Sequence, residues 1–321
     1  MHLSSTTAPA TPQIGGLVQT DDPEARKALG GVLLAVAFFS AGGTMIKSTG
    51  VPGSVTAFWR LFIGVCAWQV YLLATKRKFT LADVKATAVP GLLFGINIAF
   101  FYTGIKLTAV SHAEFMAVLT PLILIPLTAY RHKERISPSI LVAGATAIIG
   151  VLMIVVFKGH AGAPTSLRGD AYVLASIALW IGYLLRSKTM RDSVDPRVFV
   201  AGMSIWATLV VAVIAVPSGK LFQASPKAWL FFAITAIVNG LIGHGLLTHA
   251  QGHVPLGVIT LLQLAQPPLS TLWAYIFLHE QVEPLQLVGM AIVLASVGVV
   301  ATRTARSTGI ATISEQLEPH E

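Results

Sequence analysis

Two full charges stand inside apolar stretches of the sequence, where a charge is costly and therefore informative. Arg60 interrupts the run from Val55 to Val70, and Glu114 follows Thr108 in another run. If both stretches are membrane helices, each charge lies about six residues from the same side, or roughly 9 Å deep at about 1.5 Å per residue. We therefore expect an Arg60–Glu114 ion pair. It could brace two helices, hold the charged end of a substrate or, through Glu114, couple a proton to transport.

Neutral polar and aromatic residues near the middle of such stretches are candidates to contact a substrate. Trp180 and Tyr183 are three residues apart, so a helix would present both on one face to an apolar or aromatic cargo. Tight helix packing is the alternative. Asn97, Asn239 and His244 could bind a substrate or join helices by hydrogen bonds, and His244 could also titrate. The candidate substrate-binding residues are Asn97, Trp180, Tyr183, Trp206, Asn239, His244, Gln263 and Gln266.

Prolines within two apolar stretches predict broken helices. Proline cannot donate a backbone hydrogen bond, so Pro121 and Pro267 should free the carbonyls of Ala117 and Gln263. In a bilayer these carbonyls need a partner or water, which favours a cavity wall; a kink repaired by neighbouring helices is the other interpretation. Pro268 strengthens the second break. We predict that Pro121, Pro267 and Pro268 act at a gate.

Metal and enzyme chemistry lack their usual sequence signals. His249 and His253 have the i, i+4 spacing of a metal pair, but no carboxylate or third histidine is close in sequence, so no metal site is predicted. There is no HExxH, GxSxG or phosphate-loop motif. Cys66, the single cysteine, lies in an apolar stretch and is expected to be a packed, inert thiol. No cofactor is expected, and the protein is predicted not to be an enzyme.

The elements that would position these residues are membrane helices. The 321 residues are 54% hydrophobic and 11% charged, which leaves too little polar surface for a soluble protein of this size. A membrane helix needs about 20 mostly apolar residues. Ten stretches fit, at 29–46, 54–74, 86–105, 108–130, 138–156, 170–187, 197–216, 227–249, 254–278 and 284–302. The net charge of +8 is spread over short loops, so nucleic acid is not an expected partner.

The distribution of basic residues predicts how these helices are oriented. Fifteen of the 22 Lys and Arg residues fall in segments on one side, six fall on the other, and Arg60 alone is inside a helix. Short cytoplasmic loops collect basic residues, so we expect both termini in the cytoplasm. The expected organisation is a disordered tail (1–28), a first five-helix repeat (29–156), a linker (157–168), a second repeat (169–302) and a second cytoplasmic tail (303–321).

A pattern of proline and glutamate connects the two halves. Pro121, Glu134 and Pro138 recur 146 residues later as Pro267, Glu280 and Pro284. Because each copy has an odd number of helices, the second must enter the membrane from the opposite side. The predicted fold is an all-α membrane protein with ten transmembrane helices in two inverted five-helix repeats.

This pattern resembles the drug/metabolite transporter superfamily, in particular its EamA-type ten-helix exporters. The resemblance rests on Leu119–Thr120–Pro121 with Glu134, on Ala265–Gln266–Pro267 with Glu280, and on the segments Phe38–Phe39–Ser40 and Leu179–Trp180–Ile181. Within the superfamily, the sequence resembles the bacterial exporters of aromatic and other amino acids. The resemblance implies a carrier of the inner membrane with a substrate cavity between its halves.

We therefore expect a secondary transporter of the bacterial inner membrane that exports small metabolites, amino acids and aromatic amino acids among them, by alternating access. The alternatives are an exporter of drug-like or sugar-derived solutes, a membrane-embedded enzyme, or a scaffold that transports nothing. The expected partners are a small-molecule substrate and the lipid bilayer. A monomer could enclose the cavity alone, and the sequence leaves the oligomeric state open.

Overall fold

The computed structural model describes residues 23–108, 110–117, 119–120, 123–124, 127, 130, 138–156, 166–190, 193–278, 284–285 and 287–299. These residues form helices and no strand. The helices are α1 (Pro23–Lys47), α2 (Gly53–Ala74), α3 (Leu81–Ala86), α4 (Ala88–Leu107), α5 (Val110–Ala117), α6 (Pro138–Val156), α7 (Leu167–Met190), α8 (Pro196–Ala215), α9 (Pro226–Ala250), α10 (256–278) and α11 (Leu287–Val299). Within the described residues, α1, α2, α4, α8 and α9 are long and apolar enough to cross a membrane.

Two of these helices are irregular, and both belong to the second half of the chain. In α9, an α-helix (Pro226–Ile234) passes into a π-helix (Thr235–Gly243) and returns to α-helix (His244–Ala250). In α10, two α-helical segments, Leu256–Leu262 and Gln266–Leu278, are separated by a 3-10 turn, Gln263–Ala265. The turn ends two residues before Pro267 and includes Gln263, whose carbonyl the missing N–H of Pro267 was expected to free.

The helix ends gather at two opposite ends of the bundle. At the proximal end, which holds the start of α1, Arg77 after α2 forms an ion pair with Asp195 before α8 (2.6 Å). At the distal end, the Lys47 ammonium donates to the carbonyl of Thr108, which follows α4 (2.8 Å). Ser166, which precedes α7, donates to a carbonyl at the end of α4. The first helix of each half, α1 and α7, therefore runs in the opposite direction, as an inverted repeat requires.

Close packing of small residues joins the halves. Gly91 and Gly95 on α4 are four residues apart and face α8. A Cβ atom at Gly91 would lie 2.6 Å from the Met203 carbonyl oxygen, and one at Gly95 would lie 2.7 Å from the Ala207 Cα. The two backbones approach this closely only because both positions lack side chains.

Apolar side chains also cover the outside of the bundle. On α2, Phe62, Cys66 and Val70 follow one another at a spacing of four and are exposed. An apolar outer stripe suits contact with lipid. The expectation of a packed Cys66 is therefore wrong. Apolar composition alone does not distinguish a lipid-facing position from a packed one.

The short helix α3 precedes the predicted stretch 86–105 and shares only Ala86 with it. It begins with a capping box, in which the Thr80 N–H donates to the Asp83 carboxylate (2.8 Å) and the Asp83 N–H donates to the Thr80 hydroxyl (3.3 Å). Trp206 on α8 donates its indole N–H to the Val84 carbonyl (2.7 Å). This bond fixes α3 against α8 at the proximal end.

Candidate functional site

A cavity of about 150 Å³ lies in the bundle, between the helices of the two halves. Its wall combines two full charges, amides, hydroxyls and aromatic rings. The side chains that give it this character are Arg60, Glu114, Asn97, Asn239, Gln263, Gln266, Thr120, Ser176, Thr260, Phe39, Phe101, Tyr102, Trp180 and His244.

The two charges line the cavity without pairing with each other. Arg60 is 3% exposed, and its Nε donates to the Thr235 carbonyl (3.4 Å). Its guanidinium carbon also lies 5.5 Å from the centre of the Tyr102 ring, a distance typical of a cation–π contact. Glu114 is 1% exposed and accepts a hydrogen bond from the Gln266 amide (3.0 Å). Neutral groups thus stabilise both charges.

The expected Arg60–Glu114 ion pair is wrong. No salt bridge joins these two described residues, since the partners just named occupy them instead. The second oxygen of Glu114, Oε1, is buried and makes no hydrogen bond to any described residue. The position of a residue along a helix gives its depth in the membrane, but the direction in which its side chain points around the helix axis depends on how the helices pack. Each charge therefore keeps hydrogen-bonding capacity toward the cavity.

The π-helix of α9 supplies one section of the wall. Thr235 starts it, and its hydroxyl donates to the carbonyls of Phe231 (2.6 Å) and Phe232 (3.2 Å), a pattern that distorts helices. The N–H of His244 closes it by bonding to the carbonyl of Asn239, five residues earlier. π-Helical turns are frequent at functional sites because they redirect side chains. Here they bring Asn239 and His244 to the cavity.

A close approach of α1 makes room for this wall. A Cβ atom at Gly42 would lie 2.8 Å from the Asn239 amide nitrogen, so any larger residue there would push the Asn239 amide aside. His244 packs between Phe39 (4.8 Å between ring centres) and Phe94 (4.7 Å). Its Nδ1 has no hydrogen-bond partner among the residues that the structure describes. A smaller cavity of about 20 Å³, the size of one water molecule, also borders His244 and Arg60.

The break in α10 supplies another section. Gln263, Gln266 and Pro267 all line the cavity, as the sequence analysis expected of a proline-broken helix. Pro268 is buried but is not among the lining residues. Pro121, the matching proline of the first half, lies outside the described residues. The gate function of these prolines remains a prediction.

The aromatic part of the wall differs from what the sequence suggested. Trp180 lines the cavity, and Tyr183 stacks behind it (5.0 Å between ring centres, 29° between planes) with no exposed surface. Phe101 and Tyr102, which the sequence analysis did not name, face the cavity instead. Their signal was available, because Phe101 is four residues from Asn97 and so shares its helix face.

Two other candidates have structural bonds. The Asn97 amide donates to the Ser176 carbonyl (2.7 Å), which joins α4 to α7, and Asn97 also borders the cavity. Trp206 is not among the cavity residues, and its indole bond to Val84 accounts for its position. Thr120, Ser176 and Thr260 are hydroxyl residues of the wall that the sequence analysis missed.

A bundle of antiparallel apolar helices around a polar cavity defines a class of protein, the multi-pass membrane carrier. The sequence family described as the EamA-like transporter family matches residues 26–156 and again 167–302. The chain therefore belongs to the EamA-like transporter family. Its fold is the family's all-α fold of ten transmembrane helices in two inverted repeats, and the protein is a transporter, not an enzyme.

Named relatives of this chain are exporters. The threonine/homoserine exporter RhtA of Escherichia coli (strain K12) is 27% identical over 281 residues, which cover 83% of this chain and 89% of that protein. The pseudopaline exporter CntI of Pseudomonas aeruginosa (strain UCBPP-PA14) is 23% identical over 285 residues, 85% of this chain and 96% of that protein. The aromatic amino acid exporter YddG of Ancylobacter novellus is 26% identical over 188 residues, 57% of this chain and 63% of that protein.

The fold also matches a protein of known crystal structure. The TM-score is 0.68 at 21% sequence identity, and the match covers 88% of this chain and 99% of that one. At this identity the likeness supports the fold alone.

Proposed function

We propose that the protein exports small zwitterionic amino acids from the cytoplasm across the inner membrane by alternating access. The observation that carries the proposal is the presence of one guanidinium and one carboxylate on the wall of one cavity, unpaired with each other. A free amino acid has the complementary charges. Its carboxylate fits Arg60, which can bind a carboxylate with two N–H groups, and its ammonium fits Glu114.

The size and polarity of the cavity support amino acids of modest size. A dry protein cavity of about 150 Å³ accepts a molecule as large as benzene. The neutral amides and hydroxyls of the wall, such as Gln263 and Thr260, suit a short polar side chain. The relation to the threonine/homoserine exporter RhtA supports the same choice.

Aromatic amino acids are the second candidate cargo. Trp180, Phe39 and Phe101 give the cavity flat apolar walls that could stack on a ring. The relation to the aromatic amino acid exporter YddG supports this alternative, although that match covers less of the chain.

Alternating access is supported by where the backbone is irregular. The π-helix of α9 and the 3-10 turn of α10 both border the cavity, and such breaks can absorb the rotation of one half against the other. We propose that residues 29–156 and 169–302 are the two moving repeats. We further propose that the proximal end faces the cytoplasm, because the basic residues predict that side.

The test uses purified protein in sealed liposomes. Radiolabelled threonine is either enclosed in the liposomes or added to the outer solution. We expect exchange of threonine that homoserine competes for, and weaker competition by phenylalanine. Two analogues of threonine should each compete at least tenfold less well than homoserine does. One is threonine amide, which lacks the carboxylate, and the other is 2,3-dihydroxybutyrate, in which a hydroxyl replaces the ammonium. Equal competition by all four compounds, or no exchange of any amino acid, would contradict the proposal. Repeating the assay with a pH gradient separates proton-coupled from facilitated transport.

A further inference from the structure

Three side chains from distant parts of the sequence meet at the proximal end. Glu24 is in the first turn of α1, His249 is in the last turn of α9, and His253 is in the turn that follows α9. One ligand atom from each lies within 4.8 Å of the others. The His249 Nε2 is 3.8 Å from a Glu24 carboxylate oxygen, and the two imidazole rings are 4.5 Å apart. No metal site was predicted because no carboxylate is close to the two histidines in sequence. The fold supplies that carboxylate from Glu24, at the start of α1.

The hydrogen bonds around these groups orient them toward one point. The His253 Nδ1 lies 3.1 Å from the His249 carbonyl, so Nδ1 carries the proton and donates, which leaves the Nε2 lone pair available. Metal-binding histidines are usually fixed in this manner by a backbone carbonyl. One Glu24 oxygen accepts from the Lys27 ammonium (2.7 Å), and the other oxygen faces His249.

We propose that Glu24, His249 and His253 form a binding site for a divalent transition metal of the zinc type. Two imidazoles and one carboxylate are ligands that Zn²⁺ binds well, and water would complete the tetrahedron. Around bound zinc these atoms would stand about 3.4 Å apart, as metal–ligand distances of about 2.1 Å require. The ligand atoms of these partly exposed side chains, now within 4.8 Å of one another, need to close by about 1.4 Å at most. The nearby Lys27 opposes binding through its positive charge, which sets an upper limit on affinity.

The position of the site gives the metal a consequence for transport, and this step rests on the proposed function. Glu24 lies in the first turn of α1, which begins at Pro23 within the tail that was predicted to be disordered (1–28), and both histidines lie in the second half. A bound ion therefore ties α1, the first helix of the first half, to the second half at the proximal end. In an alternating-access cycle this end must open. The metal therefore holds it shut and inhibits transport from the cytoplasmic side.

The binding test needs no transport. Tag-free protein in detergent is titrated with Zn²⁺ by calorimetry, and with Co²⁺ followed by its visible absorption, which reports the ligand geometry. We expect one site, with affinity at least tenfold weaker in each of Glu24→Gln, His249→Ala and His253→Ala. His279→Ala, a histidine predicted at the opposite side, is the matched control and should bind as the unmodified protein does. Lys27→Met should bind more tightly. Zinc affinity that is equal in all five variants would overturn the site.

The transport test then examines whether the bound metal holds the proximal end shut. In liposomes, micromolar Zn²⁺ on the proximal side should inhibit exchange by the unmodified protein at least fivefold and leave His253→Ala unaffected. Unchanged exchange by a zinc-saturated protein would overturn the claim that the metal inhibits transport. If the protein binds zinc but moves no amino acid under any condition, the metal site stands and the proposed function fails, so the two failures are distinguishable.

Discussion

The two halves of the chain contribute different things to the same cavity. From the first half come both full charges, Arg60 on α2 and Glu114 on α5, and the helices α1, α2 and α4 are continuous α-helices. From the second half come neutral amides, an indole and an imidazole, and two of its helices, α9 and α10, are interrupted where they border the cavity.

This difference shows that an inverted repeat need not give a symmetric site. Each charge of the first half is held by a group from an irregular helix of the second. Arg60 donates to the carbonyl of Thr235, where the π-helix begins, and Glu114 accepts from Gln266, which follows the 3-10 turn. The regular half fixes the charges, and the irregular half supplies the polar partners that keep them buried without an ion pair.

The largest effect should follow removal of either charge. Arg60→Ala deletes one contact to a zwitterion and one buried bond to the second half, whereas Glu114→Gln deletes the charged contact and keeps an oxygen that can still accept from Gln266. Losses of this kind cost about 2–4 kcal/mol, or roughly 30- to 1,000-fold in the rate of amino-acid exchange. Gln263→Ala, a neutral change on the second-half wall, should lower exchange by less than about tenfold. Exchange is measured in liposomes at matched protein content.

Protein that fails to fold would mimic this result, so a conservative variant is needed. Arg60→Lys keeps the charge but loses the planar donor geometry, and it should elute as one species in size-exclusion chromatography while exchange stays at least tenfold reduced. Normal exchange by Arg60→Ala would show that this charge has no part in transport, and that the first half does not supply both charges that bind the cargo.

The sequence was informative about which residues are placed deep in the membrane, and much less about the direction in which each one points. Asn97, Trp180, Asn239 and Gln263 were identified as polar or aromatic residues in apolar stretches, and they line one cavity. Tyr183 was assigned to the same wall because it is three residues from Trp180, yet it packs behind that ring. Spacing along a helix shows that two residues share a face, but it does not show which of them lines the cavity and which packs behind the other.

Backbone irregularities divide in the same way. The 3-10 turn before Pro267 could be expected, since proline removes a specific hydrogen bond. The π-helix could not, because no residue type in α9 by itself requires one. Thr103 and Thr208 make the same hydroxyl bond to a carbonyl four residues earlier within regular α-helices, so the Thr235 bond alone does not predict a π-helix. The Thr235 carbonyl, in turn, accepts from Arg60 on α2. A bond over 175 residues leaves no local signal.

The second prediction concerns the rigidity of the two halves. Gly95→Ala places a methyl group 2.7 Å from the α8 backbone, so α4 and α8 must separate, at a cost of about 1–3 kcal/mol. Gly240→Ala, in the π-helix of α9, has its nearest neighbour at 3.7 Å, an ordinary contact. We expect a clearly lower thermal unfolding temperature in detergent for Gly95→Ala and an unchanged or slightly higher one for Gly240→Ala. Equal losses of stability would show that the irregular helix is packed as tightly as the regular one.

The smallest effect, and the finest comparison, separates the two asparagines of the cavity. Asn97 on the regular α4 already bonds to the Ser176 carbonyl, whereas Asn239 on the π-helix makes no side-chain hydrogen bond to any described residue. An interhelical bond in a membrane is worth about 0.6 kcal/mol on average. Asn97→Ala should therefore lower the unfolding temperature slightly and change the half-saturating threonine concentration little.

Asn239→Ala should have the opposite effects. It should raise the half-saturating threonine concentration severalfold and leave the unfolding temperature unchanged, because the Asn239 amide bonds to no described residue and is available to the cargo. Thermal unfolding and concentration-dependent exchange, measured on the same preparations, give both quantities. If Asn97→Ala instead weakens apparent affinity and Asn239→Ala leaves it unchanged, then the cargo contacts the regular helix, and the π-helix serves only to stabilise Arg60.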